Sequence, residues 1–282
     1  MAVIIDGKLV SQTIRGSIKN EVETLKAERG ITPGLAVVLV GNDPASAVYV
    51  RNKHKACLDA GIESYVITMP EETAESDLIA KIDELNTDEK VNGILVQLPL
   101  PKHICEDNVI NRISPEKDVD AFHPVNVGKI LIGNYDFLPC TPAGIMDLLA
   151  YYNIEIEGKE CVVLGRSNIV GKPMALLLLG KNGTVTVCHS RTKELAQITK
   201  RADILVVAIG KPEFVTADMV KPGAVVVDVG INRLESGKLV GDVKFDEVSE
   251  LASAITPVPG GVGPMTITTL LKNTLTAARK QN

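Results

Sequence analysis

ECVVLGRSNIVGKP, residues 160–173, reads as a short apolar strand, a glycine turn and the entry to a helix. That order is what a nucleotide pyrophosphate needs. Gly165 turns the chain sharply off the strand, Ser167 is small enough for the backbone to approach a phosphate, and Gly171 lets the helix pack on the sheet. Free N–H groups of the helix's first turn then face the anion. Ser167 stands where the usual second glycine would be, and the third glycine comes one residue late.

A second apolar strand, 184–188, runs into His189-Ser190-Arg191-Thr192. An NAD site carries an Asp or Glu at that point, about 20 residues past the first glycine, to hold the ribose 2′-hydroxyl. Here Ser190 and Arg191 take the place, and Arg166 follows the turn glycine directly. Two guanidinium groups and a hydroxyl suit a 2′-phosphate, which a carboxylate would repel. The same arginines also fit a solvated surface. The expected cofactor is NADP.

Composition sets the class. At 282 residues and 45% hydrophobic content the chain has material for two lobes, each with its own core. A net charge of −5, no Trp and 3% aromatics argue against nucleic-acid binding. The opening MAVIIDGKLV lacks the layout of a signal peptide, and no apolar run approaches membrane-spanning length. Cys57, Cys105, Cys140, Cys161 and Cys188 form no C-x-x-C pair, and the four histidines are equally scattered, so no metal site is expected. A cytoplasmic enzyme is the reading.

Strand and helix patterns alternate from end to end, which predicts an α/β chain with parallel sheets in both lobes. Strands are expected at 35–40, 65–69, 93–96, 204–208 and 224–229, and helices at 8–29, 44–60 and 74–86. A polar crossing, 114–134, leads to Thr141-Pro142, an expected N-cap with proline at the first helical position. The expected division is a substrate lobe at 1–140 and a Rossmann-like nucleotide lobe at 141–265. A final helix from about Met265 returns to brace the first lobe.

The chemistry is expected where the lobes face each other, and the first lobe offers three polar positions. Tyr49 and Lys53 lie four apart on a helix opened by Asp43-Pro44 and closed by Gly61, hence one turn apart on one face. A phenol over an amine can stack on a planar substrate and hold a proton-transfer group beside it; an ordinary half-exposed face has the same spacing. Gln97 ends the otherwise apolar strand Gly93-Ile-Leu-Val, followed by Leu98-Pro99. Ligands of open α/β sheets bind at that end, and a buried amide needs a partner such as a lysine amine or a backbone group. In Lys117-Asp118-Val119-Asp120 an acidic pair interrupts the crossing. Asp120 there suits either the N–H groups of a heterocycle or a loop cap. Finally, 256–266 packs three glycines and three prolines into eight residues, a loop able to present successive N–H groups to an anion.

Six segments in order along the whole chain resemble the bifunctional methylenetetrahydrofolate dehydrogenase/cyclohydrolase family: PASAVYVRNK (44–53), GILVQLPLP (93–101), PEKDVD (115–120), GRSNIVGKP (165–173), CHSRT (188–192) and PGGVGPMT (259–266). The resemblance implies NADP-dependent oxidation of 5,10-methylenetetrahydrofolate, then hydrolysis of the methenyl form to 10-formyltetrahydrofolate, by a homodimer. It makes Lys53 the main catalytic residue, with Tyr49 stacking on the folate, Gln97 positioning Lys53 and Asp120 anchoring the pterin. Leu98, Pro99, Pro259, Gly260 and Gly261 then border the substrate. Gly165, Arg166, Ser167, Ile169, Val170, Gly171, His189, Ser190, Arg191, Ile231, Gly263 and Thr266 match cofactor positions. One departure is visible: Ala121 stands where family members commonly have glycine. If that position needs a positive φ, the loop holding Asp120 is displaced. A shikimate-dehydrogenase-like oxidoreductase and a non-catalytic NADP-binding sensor are the alternatives.

Overall fold

The computed structural model describes residues 2–281. In chain order it begins with β1 (Val3–Ile4), α1 (Gly7–Arg29), β2 (Gly34–Val40), α2 (Pro44–Asp59), β3 (Glu63–Met69), α3 (Glu75–Thr87) and β4 (Gly93–Val96). Three helices follow: α4 (Glu106–Arg112), α5 (Pro124–Leu131) and α6 (Cys140–Tyr151). Next come β5 (Glu160–Leu164), α7 (Gly171–Leu179), β6 (Thr184–Cys188), α8 (Leu195–Thr199), β7 (Ile204–Val207) and β8 (Val225–Asp228). The chain closes with β9 (Asn232–Arg233), β10 (Leu239–Val240), α9 (Phe245–Val248), β11 (Ala254–Ile255) and α10 (Val262–Gln281).

Two compact units divide these elements. One holds the segment through Gln12 together with Pro139–Thr266; the other holds Thr13–Leu138 together with the segment from Ile267 onward. The segment through Gln12 therefore clusters with Pro139–Thr266, where β1 pairs in parallel with β11.

The unit around Thr13–Leu138 has a three-stranded parallel sheet in the order β3-β2-β4. Every residue of β2, GLAVVLV, is buried. A parallel strand covered on both faces has no polar side to show, so it reads as a continuous apolar run. Its core gathers Val38, Val40, Leu78, Ile82, Ile94, Val96 and Val109, and burying a side chain of this size contributes about 1.5–3 kcal/mol. The chain leaves β2 for β3 on one side and later returns to β4 on the other, so the two crossovers part at the carboxyl ends of β2 and β4. In open sheets of this kind the ligand crevice lies there.

The other unit has a six-stranded parallel sheet in the order β1-β11-β8-β7-β5-β6. Its crossovers part between β5 and β7, again the place for a ligand. Val162, Leu164, Leu205, Val207 and Val226 are fully or almost fully buried in its core. The small antiparallel pair β9–β10 stands apart from the main sheet.

Several local expectations shift. α6 starts at Cys140 with Pro139 in the cap position and no side-chain cap, so Thr141 and Pro142 lie inside the first turn. The 114–134 crossing contains a real helix, α5, opened by Pro124 and capped by His123, whose ring accepts from the Val125 N–H. α10 starts at Val262, three residues before the expected Met265.

Candidate active site

Lys53 and Gln97 meet. α2 is held at both ends. The Asp43 carboxylate accepts from the Ser46 N–H at 2.7 Å, with Pro44 beginning the first turn. At the other end Gly61, at φ +77°, donates to Leu58 and Ile62 donates to Cys57, the paired bonds of a left-handed helix stop. This fixes the rotation of α2 about its axis, and with it the direction of Lys53. The Lys53 side chain is 8% exposed, and its Nζ donates to Gln97 Oε1 at 2.9 Å. Gln97 uses its Nε2 on the Leu98 carbonyl at 2.7 Å, while its backbone N–H still extends the β4 ladder to Val38. Both choices read from the sequence for Gln97, a lysine partner and a backbone partner, are thus realised by its two ends. Lys53 has no carboxylate partner among the described residues. Tyr49, one turn away, is 40% exposed and free to stack. Leu98 is half-buried and Pro99 exposed, across a cis peptide bond.

The acidic pair divides its labour. Asp118 is 2% exposed, and its Oδ2 accepts from the His123 N–H and from Asn126 Nδ2, each at 2.8 Å. Burial pushes its carboxyl pKa up, against the lowering effect of those bonds. Asp118 is the loop cap. Asp120 is half-buried and makes no side-chain hydrogen bond or ion pair among the described residues. Ile94 pairs with Asp118 in parallel, so Asp120 lies toward the end of β4 that carries Gln97. Ala121 takes φ +58° itself. A side chain there costs about 1–2 kcal/mol, and its fully buried methyl offsets about 0.8 kcal/mol of that. The positive φ that the family's glycine would allow is thus kept by alanine.

In the nucleotide unit, Gly165 has φ +131°, and a Cβ on it would lie 2.2 Å from the Ala208 carbonyl oxygen. Gly171 is equally required, since a Cβ there would lie 2.3 Å from the Gly165 oxygen. Its closeness is to the turn rather than to the sheet. Ser167 does more than leave room. Its Oγ accepts from the N–H groups of Val170 and Gly171, at 3.1 and 3.3 Å, so two donors expected to face an anion are already engaged. Ile169 is exposed. Leu164 pairs with Cys188, and the Gly165 N–H reaches the Cys188 carbonyl at 2.9 Å, so Arg166 and the His189–Arg191 turn leave adjacent strands side by side. The His189 N–H donates to Thr192 Oγ1, and the ring Nδ1 accepts from the Arg191 N–H, which shapes that turn. Arg166, Ser190 and Arg191 are exposed, and neither guanidinium meets an acidic side chain among the described residues. No carboxylate closes β6. These residues fit a cofactor bearing a 2′-phosphate.

The glycine-rich loop is less open than its sequence suggests. Gly260 has φ +108°, its carbonyl accepts from the Lys8 N–H, and the Gly261 N–H already donates to Pro257. Pro259 follows a cis bond and is exposed. A Cβ on Gly7 would lie 1.7 Å from the Gly261 oxygen, so the loop rests against the start of α1. Ile231 Cδ1 would lie 3.5 Å from a Cβ on Gly263, which brings two expected cofactor residues together. Thr266 shares a 3.0 Å hydroxyl contact with Thr141.

Sequence reasoning missed Asp228 and Asp242. Asp228, 4% exposed, takes the N–H groups of Gly230 and Asp242 on Oδ1 and that of Val243 on Oδ2, all at 2.9 Å. Burial outweighs those bonds and raises its pKa to about 6. The rule applied to Gln97, a polar residue ending a buried strand, would have found it at the end of β8. The sign of the pH effect follows. A carboxyl whose folded pKa is raised stabilises fully below its unfolded value of about 3.8, and the contribution is lost as pH rises through about 6. Going from about pH 7 to about pH 5.5 is expected to add about 1 kcal/mol to the unfolding free energy. Urea titrations at the two pH values should show that increment shrinking in Asp228→Asn; an equal increment in both proteins would refute it.

Known proteins resemble this chain along its full length. A bifunctional protein FolD of Acetivibrio thermocellus is 64% identical over 280 residues, 99% of this chain and 98% of the relative. A crystal structure of the bifunctional enzyme FolD, methylenetetrahydrofolate dehydrogenase/cyclohydrolase, from Campylobacter jejuni superposes with TM-score 0.98 at 52% identity, covering 100% of both chains. The Trypanosoma brucei methylenetetrahydrofolate dehydrogenase-cyclohydrolase, solved with NADP cofactor and an inhibitor, gives TM-score 0.95 at 42% identity over 99% of this chain and 98% of its own. Residues 5–120 match the model of the tetrahydrofolate dehydrogenase/cyclohydrolase catalytic domain, and residues 139–282 match that family's NAD(P)-binding domain. With both domains matched and this identity running the length of the chain, the protein belongs to the tetrahydrofolate dehydrogenase/cyclohydrolase family.

Proposed function

We propose that this enzyme oxidises 5,10-methylenetetrahydrofolate with NADP and hydrolyses the methenyl product to 10-formyltetrahydrofolate, with Lys53 as the group that handles protons. The observation that carries the assignment is the buried Lys53 amine held by a neutral amide, Gln97 Oε1, at 2.9 Å. An amine held by an amide rather than a carboxylate keeps hydrogens to direct at substrate and water. A lysine so held is oriented without being locked into an ion pair.

Tyr49 supplies a ring face to the planar folate, and Asp120, whose carboxylate takes no donor among the described residues, accepts from the pterin N–H groups. Leu98 and Pro99 border the substrate in the same unit. Arg166, Ser190 and Arg191 hold the 2′-phosphate, the Gly165 turn admits the pyrophosphate, and Ile231, Gly263 and Thr266 border the remainder. When bound, the nicotinamide supplies the hydride acceptor. The protein's part in oxidation is positioning. Hydrolysis asks more of it, because attacking water loses a proton and a folate nitrogen later gains one. Lys53 takes the first proton in its neutral form and returns it.

The substrate domain corresponds to Thr13–Leu138 with the residues from Ile267 on, and the NADP domain to Pro139–Thr266 with the first twelve residues. Family membership supports a cytoplasmic homodimer, which sedimentation would test. No helix among the described residues is long and apolar enough to cross a membrane. Full-length identity to FolD proteins does not favour the shikimate-type or sensor alternatives.

One absorbance time course with methylenetetrahydrofolate and NADP tests the proposal. NADPH rising while little methenyl product accumulates is the expected result. Matched rises of the two, with the methenyl form decaying at its uncatalysed rate, would remove the hydrolytic role of Lys53. No reduced cofactor with either NADP or NAD would overturn the assignment.

A further inference from the structure

Behind the nucleotide loops lies a pair of buried carboxylates whose chemistry the reaction does not use. Asp242 is fully buried, and its Oδ2 accepts from the N–H groups of Ile209 and Gly210, at 2.7 and 2.9 Å, in the loop after β7. Its Oδ1 accepts from Asn232 Nδ2 at 2.9 Å, in the segment after β8. Asp228, at the end of β8, holds Gly230, Asp242 and Val243 through their N–H groups. The Thr256 hydroxyl, from the end of β11, accepts from the Asp228 N–H at 2.8 Å. The loop after β7, the segment after β8 and the chain just past β10 are thus tied to one pair of side chains, while β11 is tied to the Asp228 backbone. The fit leaves no room. A Cβ on Gly230 would lie 2.3 Å from Asp242 Oδ1, and one on Gly241 would lie 1.8 Å from Asp228 Oδ2.

Two buried like charges cost free energy unless every oxygen is satisfied, and here six bonds converge on four oxygens. A purely apolar plug would fill the space without that cost. What it would not do is fix the direction of the N–H groups in loops that carry no regular structure. Those loops stand where the site needs them. Ala208 opens the β7 loop and packs against the Gly165 turn, and Ile231 opens the segment after β8 and packs toward Gly263. Gly165, Ile231 and Gly263 are all residues assigned to the cofactor.

We infer that Asp242, backed by Asp228, is a positioning residue for the dinucleotide: it sets the β7 and β8 loops so that the cofactor-facing residues Gly165, Ile231 and Gly263 form one surface. This rests on the proposed NADP-dependent function. It predicts an effect on the cofactor that spares the chemistry of the Lys53 cluster.

The charge is not what matters; the acceptors are. In Asp242→Asn one oxygen can still serve Ile209 and Gly210, and Asn232 can turn its amide over to accept from the new –NH₂. In Asp242→Ala both anchors are gone. The test uses the full-length enzyme, with NADP affinity measured by titration calorimetry alongside the two activities. Wild type comes first: if it binds no NADP, the proposed function fails before any variant is made. If it binds, Asp242→Ala should raise the NADP Kd and KM about tenfold or more. Hydrolysis of supplied methenyltetrahydrofolate should stay within about twofold, and Asp242→Asn should recover most of the cofactor affinity. Hydrolysis and NADP binding lost together, with a lowered Tm, would make the pair a fold brace only and overturn the inference. So would an unchanged NADP Kd in Asp242→Ala.

Discussion

Lys53→Met is expected to slow hydrolysis of methenyltetrahydrofolate by about 10²–10⁴-fold, the usual range for removing a general acid–base group. Methionine matches the length of the lysine stem and suits a position that is 8% exposed, so α2 keeps its packing. What disappears is the amine and its bond to Gln97. The stranded Gln97 oxygen costs about 1–3 kcal/mol of stability, visible as a lower Tm without loss of the folded state. Oxidation should fall as well, but less, because there the amine only helps to place the folate. NADP affinity should not change, since the arginines that serve it belong to the other unit. Stopped assays of each half-reaction check this, and rates equal to wild type in both would remove Lys53 from the mechanism.

The second large effect concerns cofactor choice. Arg166→Ala and Arg191→Ala should each weaken NADP by about tenfold or more, because a charged hydrogen bond is worth about 1.5–3 kcal/mol. NAD lacks the 2′-phosphate and should be nearly indifferent to either change. The basis is the pairing of Leu164 with Cys188, which sends Arg166 and Arg191 out from neighbouring strands, and the lack of any acidic partner for either side chain among the described residues. Fluorescence titration with both dinucleotides tells the cases apart. A parallel loss of NADP and NAD affinity would mean the arginines hold the pyrophosphate or the fold, not the 2′-phosphate.

The long buried strands were legible because parallel strands covered on both faces are apolar throughout. β2, β4, β5, β7 and β8 all fall within a residue or two of their expected positions, and so does β6, although it is a partly exposed edge strand. β1, β9, β10 and β11 were not legible. Each has two residues, too few for any periodicity. α5 hid in the polar crossing because it is eight residues long, about two turns, with a proline and a glycine among them. α6 misled because Thr141-Pro142 has the form of a cap, yet the helix takes Pro139 instead.

Of the site, Lys53 and Gln97 could be found separately, one by helical spacing and one as a polar end to an apolar strand. Their meeting is a tertiary fact. The sequence could not say which of Asp118 and Asp120 caps the loop, since both have the right chemistry and only burial separates them. Nor could it show that Ser167 engages two of the helix N–H groups, or that Asp228 and Asp242, 14 residues apart in sequence, share one buried knot.

The pairing of β1 with β11 has a consequence for synthesis. Val3 meets Ala254 and Ile4 meets Ile255, so the nucleotide sheet cannot finish until nearly the whole chain has left the ribosome. The other unit waits as well: Asn273 donates to the carbonyls of Val119 and Leu138, and Gln281 donates to those of Asn92 and Glu116. Non-local contacts of this kind fold late and leave strand edges exposed meanwhile. A nascent chain stalled before β11 therefore has both units unfinished, and would be a client for chaperones rather than a working half-enzyme.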